Sequence, residues 1–464
     1  MDFWTPLKTA GQTIMPHLLI PLFICIGLLW WWWIVIRFKR TVENVPTSKV
    51  KGVFIGLNEI KGSVESDNPL ETYLTEVPSV WYKWSIQERW RRTETYTDSK
   101  GKRRTRTRTG WTTVDSGSGS QDFHLRDDTG SLLIRPEGAK MEIHQTLSHH
   151  CSPSDPMYYG KGPRRAIMNS THDRHFKERA LKPDDQTYIL GPARLQDEVA
   201  KPVIEDDQGE RYYFISTKSE QQIIKGRGIL SGFLLFFAFA AALAVPLTFW
   251  GMTEQLEPAE TLMVHPVSIV LAGLAFGMVW GILYLMMLYN GLVRVRNRLK
   301  RALSLIDIQL KRRHDLIPRL VECVKGAASH EREVQEAVAE ARTTAASWGE
   351  SVGDRDGTLR GERKMVGRLI ALAEAYPDLK ADENFQLFFH QLTDTEDRIA
   401  LARHYHNDSL LALQDRLKTF PDMLVAKLFR FKPGKRLPSL QDADELARVP
   451  SISLDEEEQI KPDA

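Results

Sequence analysis

Cysteine is scarce: Cys25, Cys151 and Cys323 are the only three in 464 residues. They are odd in number and far apart, which argues against a disulfide framework and fits a reducing compartment. No Cys-x-x-Cys occurs, so zinc ribbons and RING-type sites, which need several closely spaced Cys/His ligands, are excluded. Net charge is scarce too. Lys and Arg number 62 against 60 Asp and Glu, a formal +2, so bulk charge does not point to nucleic acid. No histidine has a glutamate three positions before it, which removes the Glu-x-x-His pattern of di-iron bundles. "HEREV" at 330–334 lacks the second His of a zincin motif.

Apolar runs, in contrast, are long. Residues 16–36, 229–250 and 267–288 each reach the roughly 20 residues a membrane helix needs. The first begins some way into the chain, has no small-residue cleavage site and holds Trp30-Trp31-Trp32-Trp33, the composition of an interfacial aromatic belt on an anchor. No span carries an acidic or basic residue at its middle, which disfavours an ion or proton pathway. Arg37, Lys39 and Arg40 follow the first span, Lys225 and Arg227 precede the second, and Arg294, Arg296, Arg298, Lys300 and Arg301 follow the third. The loop 251–266 has Glu254, Glu257 and Glu260 and no Lys or Arg. By the positive-inside bias, 1–15 and this loop are expected outside, with 41–226 and everything after 290 in the cytoplasm of a cell whose inner membrane the chain crosses three times.

Between the first and second spans the texture changes. Short runs rich in Val, Ile, Tyr, Trp and Phe are separated by Gly, Pro, Asp and Ser, and alternation around "DDTG" and "DDQG" is the hairpin pattern, so 41–226 reads as a mainly antiparallel β-rich domain. Within it "RWRRTETYTDSKGKRRTRTRTGW" places nine Lys/Arg between 89 and 108, alternating Arg with Thr and bracketed by Trp90 and Trp111. Arg103, Arg104, Arg106 and Arg108 with the two tryptophans are candidates for contact with anionic headgroups; a solvated hairpin and a single-stranded nucleic-acid contact are the alternatives. His144, His149, His150, Cys151, His172 and His175 cluster in the sequence, but their spacing matches no standard metal site and the expectation is none.

The stretches "GSVESDNPLETYLTEVPSVWYKW", "FHLRDDTGSLLIRPEGA", "ERALKPDDQTYILGPA" and "YFISTKSEQQI" resemble the GIDE, or "beside a membrane", domain of membrane-anchored ubiquitin ligases and of bacterial membrane proteins. In the ligases the chemistry belongs to a separate RING that this chain lacks, so the resemblance implies no ligase activity here.

Past the third span, apolar residues at 292, 295, 299, 302, 306 and 310 fall three or four apart, the seam of a bundle or coiled-coil helix continuous with the span. Leu299, Ile306 and Leu310 are its candidate seam, with Leu392, Ile399 and Leu413 on a facing helix over about 382–419. Pro318 removes a backbone donor and marks a kink or a restart of the helix. Adjacent His314 and Asp315 point about 100° apart on a helix and cannot act as base and orienter. Helices over about 319–348 and up to 375, and a polar disordered tail over 433–464, complete the reading.

"YNGLVRVRNRLKRALSLIDIQLKRRHDLIPRLVECVKGAASHE", "EAYPDLKADENFQLFFHQLTDTEDRIALARHYHND" and "FPDMLVAKLF" resemble the LemA family over 289–432. The resemblance implies an antiparallel helical bundle on a membrane helix, with "LKRRHDLIPRL" as a corner between helices and His314 an exposed or capping residue there rather than a catalytic one; the family has no established enzymatic activity, and a membrane peptidase is admitted as partner. The whole reads as an α+β membrane protein without catalytic residues or cofactor. A bilayer and further copies of itself are its expected partners, and its expected role is a scaffold.

Overall fold

The computed structural model describes residues 5–97, 102–195, 202–207, 209–210, 212–253, 265–327, 383–432 and 434. The expected helices between 328 and 375, most of the loop 251–266 and the tail beyond 434 lie outside them. The fold is α+β, with a β-rich region ahead of the second and third of three long apolar helices. The chain forms two compact units, Met1–Arg296 with Ala412–Lys432, and Asn297–Leu411 with Pro433–Ala464.

In the first unit, α1 (Thr5–Asn44) contains the first apolar run. Strands β1 (Thr47–Ser48), β2 (Gly56–Glu65), β3 (Leu70–Glu71), β4 (Pro78–Ser79), β5 (Trp81–Thr97), β6 (Arg103–Ser120), β7 (Phe123–Asp127), β8 (Gly130–Ile134), β9 (Lys140–Glu142) and β10 (Gln145–Cys151) follow. A single turn, α2 (Pro156–Gly160), precedes β11 (Ser170–Leu181), β12 (Gln186–Leu195), β13 (Pro202–Ile204) and β14 (Phe214–Ser216). Then come α3 (Glu220–Thr253) and α4 (Pro266–Ala327), the second and third apolar helices. The last elements are α5 (Glu383–Lys418) and α6 (Asp422–Leu428).

The strands form an eight-stranded sheet in the order β1-β2-β7-β8-β13-β12-β14-β9, a four-stranded sheet, β10-β11-β5-β6, and the two-stranded pair β3-β4. The first is mixed, with parallel pairs at β1–β2, β8–β13 and β9–β14; the second is wholly antiparallel. Ile60, Val64, Leu125, Ile134, Ile189, Ile204 and Ile215 make the core of the larger sheet. Where that sheet meets the helices, Val42 of α1, Val45 just past its end, Ile223 of α3 and Leu57, Tyr188, Leu190 and Phe214 pack together.

At this junction a carboxylate is buried. Glu59 accepts hydrogen bonds from the Thr47 hydroxyl at 2.7 Å and the Tyr188 hydroxyl at 2.9 Å, and Lys61 bridges it at 3.3 Å to Glu220, the first residue of α3, at 2.8 Å. Burial pushes the Glu59 carboxyl up to about 6 from its ordinary value of 4.5, against the pull of the two hydroxyls. The folded state therefore binds a proton that the unfolded chain releases between those two values. Stability from this group is full below about pH 4.5 and is lost as pH rises through 6, a span of about 2 kcal/mol. Glu59→Gln should flatten that part of the profile, read as the difference in melting temperature between variant and parent at pH 4.5 and 7.5. Equal differences at both pH values would contradict it.

The three long apolar helices pack through Trp32, Val35, Ile36, Leu234 and Met287. Trp32 is buried, 6.3 Å from the Trp280 ring and 6.5 Å from Tyr284, whereas Trp30 and Trp31 are exposed. The four tryptophans are thus divided between packing and an outward belt, because consecutive helical residues point about 100° apart.

In the second unit, α4 runs on through Pro318 as one helix rather than restarting after it. Leu316, Ile317, Leu320 and Val321 are buried around the proline. Burying several large aliphatic side chains, each contributing about 1.5–3 kcal/mol, outweighs the roughly 3 kcal/mol that an interior proline costs. "LKRRHDLIPRL" is therefore helix interior, not a corner.

Candidate lipid-contact site

The basic stretch is a long hairpin. β5 and β6 pair from Trp81↔Ser120 outward to Thr97↔Arg103, while β11 pairs with β5 only as far as Trp90. Past Arg91, whose backbone N–H still donates to the Asn169 carbonyl at 2.9 Å, the hairpin continues as a two-stranded ribbon. Three glycines of β6 let aromatic rings of β5 lie flat across the ladder: a Cβ would come within 2.6 Å of the Trp90 ring at Gly110, 2.8 Å of Trp84 at Gly117 and 2.5 Å of Tyr82 at Gly119.

Register decides which side chains share a face. Trp90↔Gly110, Arg92↔Arg108, Glu94↔Arg106 and Tyr96↔Arg104 are opposite pairs, so Trp90, Arg92, Arg104, Arg106 and Arg108 stand on one face with Glu94 and Tyr96. The other face carries Thr93↔Thr107, Thr95↔Thr105 and Thr97↔Arg103. Arg103 and Trp111 therefore do not join the remaining candidates; Trp111 lies edge-on to His150 and His175, 5.6 and 6.0 Å away. On the cationic face Glu94 bridges Arg92 at 3.4 Å and Arg108 at 3.9 Å, and among the described residues this face carries four arginines and one carboxylate. The side chains of Arg103, Arg104, Arg106 and Arg108 are exposed.

The His/Cys cluster separates. His144 bonds Thr217, and the His172 ring lies 3.4 Å from the Tyr158 hydroxyl. His150 and His175 stack at 3.9 Å on one side of the sheet, and burial with the neighbouring His150 holds the His175 pKa below its usual value. His149, Cys151 and Asp155 converge on the other side, their donor atoms within 4.8 Å of one another. This set can in principle ligate a cation, but its atoms are already joined to each other. Asp155 caps α2 by accepting from the Met157 backbone N–H at 2.9 Å with one oxygen, and with the other lies 2.8 Å from His149 Nε2. Burial, then Asp155, pushes the Cys151 thiol up to about 12, which opposes the thiolate a metal needs.

Beneath the base of the ribbon lies an ion pair that composition did not reveal. Arg174 and Glu88 are fully buried, with Nη2 and Nε of the guanidinium 3.1 and 3.2 Å from one Glu88 oxygen. Arg174 also donates to the backbone carbonyls of Tyr158 and Pro163 at 2.8 Å each and of Arg165 at 3.3 Å. The Tyr158 ring covers it at 3.9 Å, and the Ser170 hydroxyl donates to the other Glu88 oxygen. The available signal was alternation: Trp84, Ile86 and Glu88 fall on the same face of β5.

Among the seam residues, Leu299, Ile306, Leu392, Ile399 and Leu413 are buried, and Leu310 is only half-buried. The next buried position is Arg313, seven residues after Ile306, and it pairs with Glu396 at 2.8 Å. A 3.6-residue period rotates the stripe past Leu310, so the basic side chain takes the buried place. His314 beside it is half-buried.

Comparison with known proteins agrees with the two halves. Residues 302–453 match the model of the LemA family, and residues 92–246 match the GIDE model, described as E3 ubiquitin ligase. Magnetosome protein MamQ of Magnetospirillum gryphiswaldense is 24% identical over 192 residues, which cover 36% of this chain and 71% of that protein. The chain thus matches a GIDE model and a LemA model in succession, the combination that its sequence motifs resembled.

Proposed function

We propose that the chain is a non-enzymatic scaffold of a bacterial inner membrane, with its N-terminus outside and its β-rich region and C-terminal helices in the cytoplasm, and that it self-associates through the helices beyond the third span. The carrying observation is apolar surface away from the spans: Ile308 of α4 and Leu387 and Leu411 of α5 are 59%, 52% and 47% exposed on helices whose opposite faces are already packed. Opposed numbering on those helices supports the antiparallel bundle: Arg313 meets Glu396, while Leu299 and Leu410 both flank Gly434. The MamQ similarity favours a membrane setting without naming a role. Ligase activity is not part of the proposal, since the sequence has no RING ligands.

Mass measurement of the detergent-purified full chain should give a homo-oligomer, and Ile308→Lys with Leu411→Lys should shift it towards monomer. A monomeric parent overturns the self-association, and a co-purifying peptidase would make it an accessory instead. For topology, single cysteines at Ser118 and Ser453 in a cysteine-free chain should both resist an impermeant thiol reagent in intact cells, and labelling of either reverses the orientation.

The cationic face favours a second role, contact with anionic headgroups. Each basic residue near such a surface contributes about 1 kcal/mol. Arg104→Ser with Arg106→Ser and Arg108→Ser should therefore weaken binding of the β-rich region to phosphatidylglycerol vesicles by about 100-fold. Arg103→Ser, on the threonine face, should have a smaller effect. Binding that ignores both changes and added salt leaves a solvated hairpin.

A further inference from the structure

The short helix α6 is fixed at the cytoplasmic exit of the spans by a buried carboxylate. Asp422, its first residue, is held by Arg416 at 2.7 and 3.2 Å and by Arg40 of α1 at 3.4 Å. Arg40 also reaches the Tyr284 hydroxyl of α4 at 3.4 Å, and Arg416 reaches Asn44 at 2.8 Å. Arg416 lies so close to α4 that a Cβ at Gly291 would be 3.0 Å from its guanidinium. The Phe429 ring, one residue past α6, packs 4.7 Å from Tyr289. Tyr284 is four residues inside the apolar run that ends at Leu288, about 6 Å along the helix axis, and Arg40 is four residues past the end of the first run. These anchors put α6 at headgroup height.

Its two faces differ sharply. Val425 and Ala426 are buried with Asp422, whereas Leu424 and Leu428, four apart, are 53% and 72% exposed, and Phe420 just before the helix is 71% exposed. Lys427, Arg430 and Lys432 are exposed beside them. Large apolar side chains flanked by cations, at this height and next to spans whose own outward faces are apolar, fit one environment.

We propose that α6 lies in the cytoplasmic interfacial layer of the bilayer, with Phe420, Leu424 and Leu428 inserted to the acyl boundary and Lys427, Arg430 and Lys432 among the lipid phosphates. Interfacial helices bury their apolar face about 5–10 Å into this boundary. The Asp422 knot links that helix to α1 and α4, so the insertion fixes the depth at which those helices leave the membrane.

The test uses the full chain with Cys25, Cys151 and Cys323 replaced by Ala, reconstituted into phosphatidylcholine–phosphatidylglycerol vesicles. An environment-sensitive fluorophore is attached to a cysteine at Leu424, at Leu428, or at exposed Ser131 of the larger sheet as the aqueous control. The two α6 labels should emit to the blue of the control and be quenched several-fold more by a nitroxide on the upper acyl chain, and less by iodide. Iodide quenching equal to the control overturns the proposal. A blue-shifted label indifferent to the lipid nitroxide also overturns it, because a second copy or another protein then covers the face.

Discussion

Replacing Arg174 by leucine should unfold the four-stranded sheet. The substitution leaves Glu88 fully buried with only the Ser170 hydroxyl as partner and strips donors from the carbonyls of Tyr158, Pro163 and Arg165. Removing one partner of a buried ion pair costs about 3–5 kcal/mol, a large part of a stability of about 5–15 kcal/mol. Arg174→Lys should rescue little, because an ammonium cannot reproduce a fork that reaches a carboxylate and three carbonyls at once. Arg174→Leu with Glu88→Leu should recover part of the loss, since the lone charge is then gone. Melting of the β-rich region and its cleavage by protease within β5 and β11 measure the effect. An Arg174→Leu protein that melts within a degree or two of the parent would show that the pair does not hold this sheet.

How far the sequence announces these features depends on whether one period governs them. The alternating "RTRTR" run has the two-residue period of a strand, so placing Arg104, Arg106 and Arg108 on one face needs no structure. Putting Trp90 with them needs the pairing partner, and excluding Trp111 needs the register, neither of which a single strand's period contains. The His/Cys cluster divides for the same reason: His149 and His150 are neighbours in sequence and point to opposite sides of β10. The three apolar helices and the LemA and GIDE segments were legible because long runs and long motifs are redundant. The helix does not restart at Pro318, and a local rule about a lost hydrogen bond could not show this because it does not contain the packing of Leu316, Ile317, Leu320 and Val321. Asp422 and Arg416 were not foreseen as a knot, since their partners Arg40 and Asn44 lie more than 370 residues away.

Ile306→Asp tests the seam itself. Ile306 is buried on α4, and the buried side chains available in its unit include Leu299, Ala302, Leu392, Ile399 and Leu410. The change forfeits about 1.5–3 kcal/mol of burial and puts a carboxylate where its desolvation costs several more. Arg313 cannot offset this cheaply. It lies seven residues on, about two turns, and is already committed to Glu396 at 2.8 Å. The fragment 290–432 carrying Ile306→Asp should therefore lose its cooperative melt and become protease-sensitive. Leu310→Asp should cost clearly less, because Leu310 is half-buried. Glu396→Ala should fall between the two, because it removes the carboxylate that accepts from the buried Arg313 guanidinium at 2.8 Å. His314→Ala removes a half-buried ring and should leave both the melt and complementation of a deletion strain close to the parent. A stable Ile306→Asp fragment would overturn the seam. A well-folded His314→Ala chain without function would instead show that the residue beside Arg313 does chemistry or binds a partner, against a non-enzymatic scaffold.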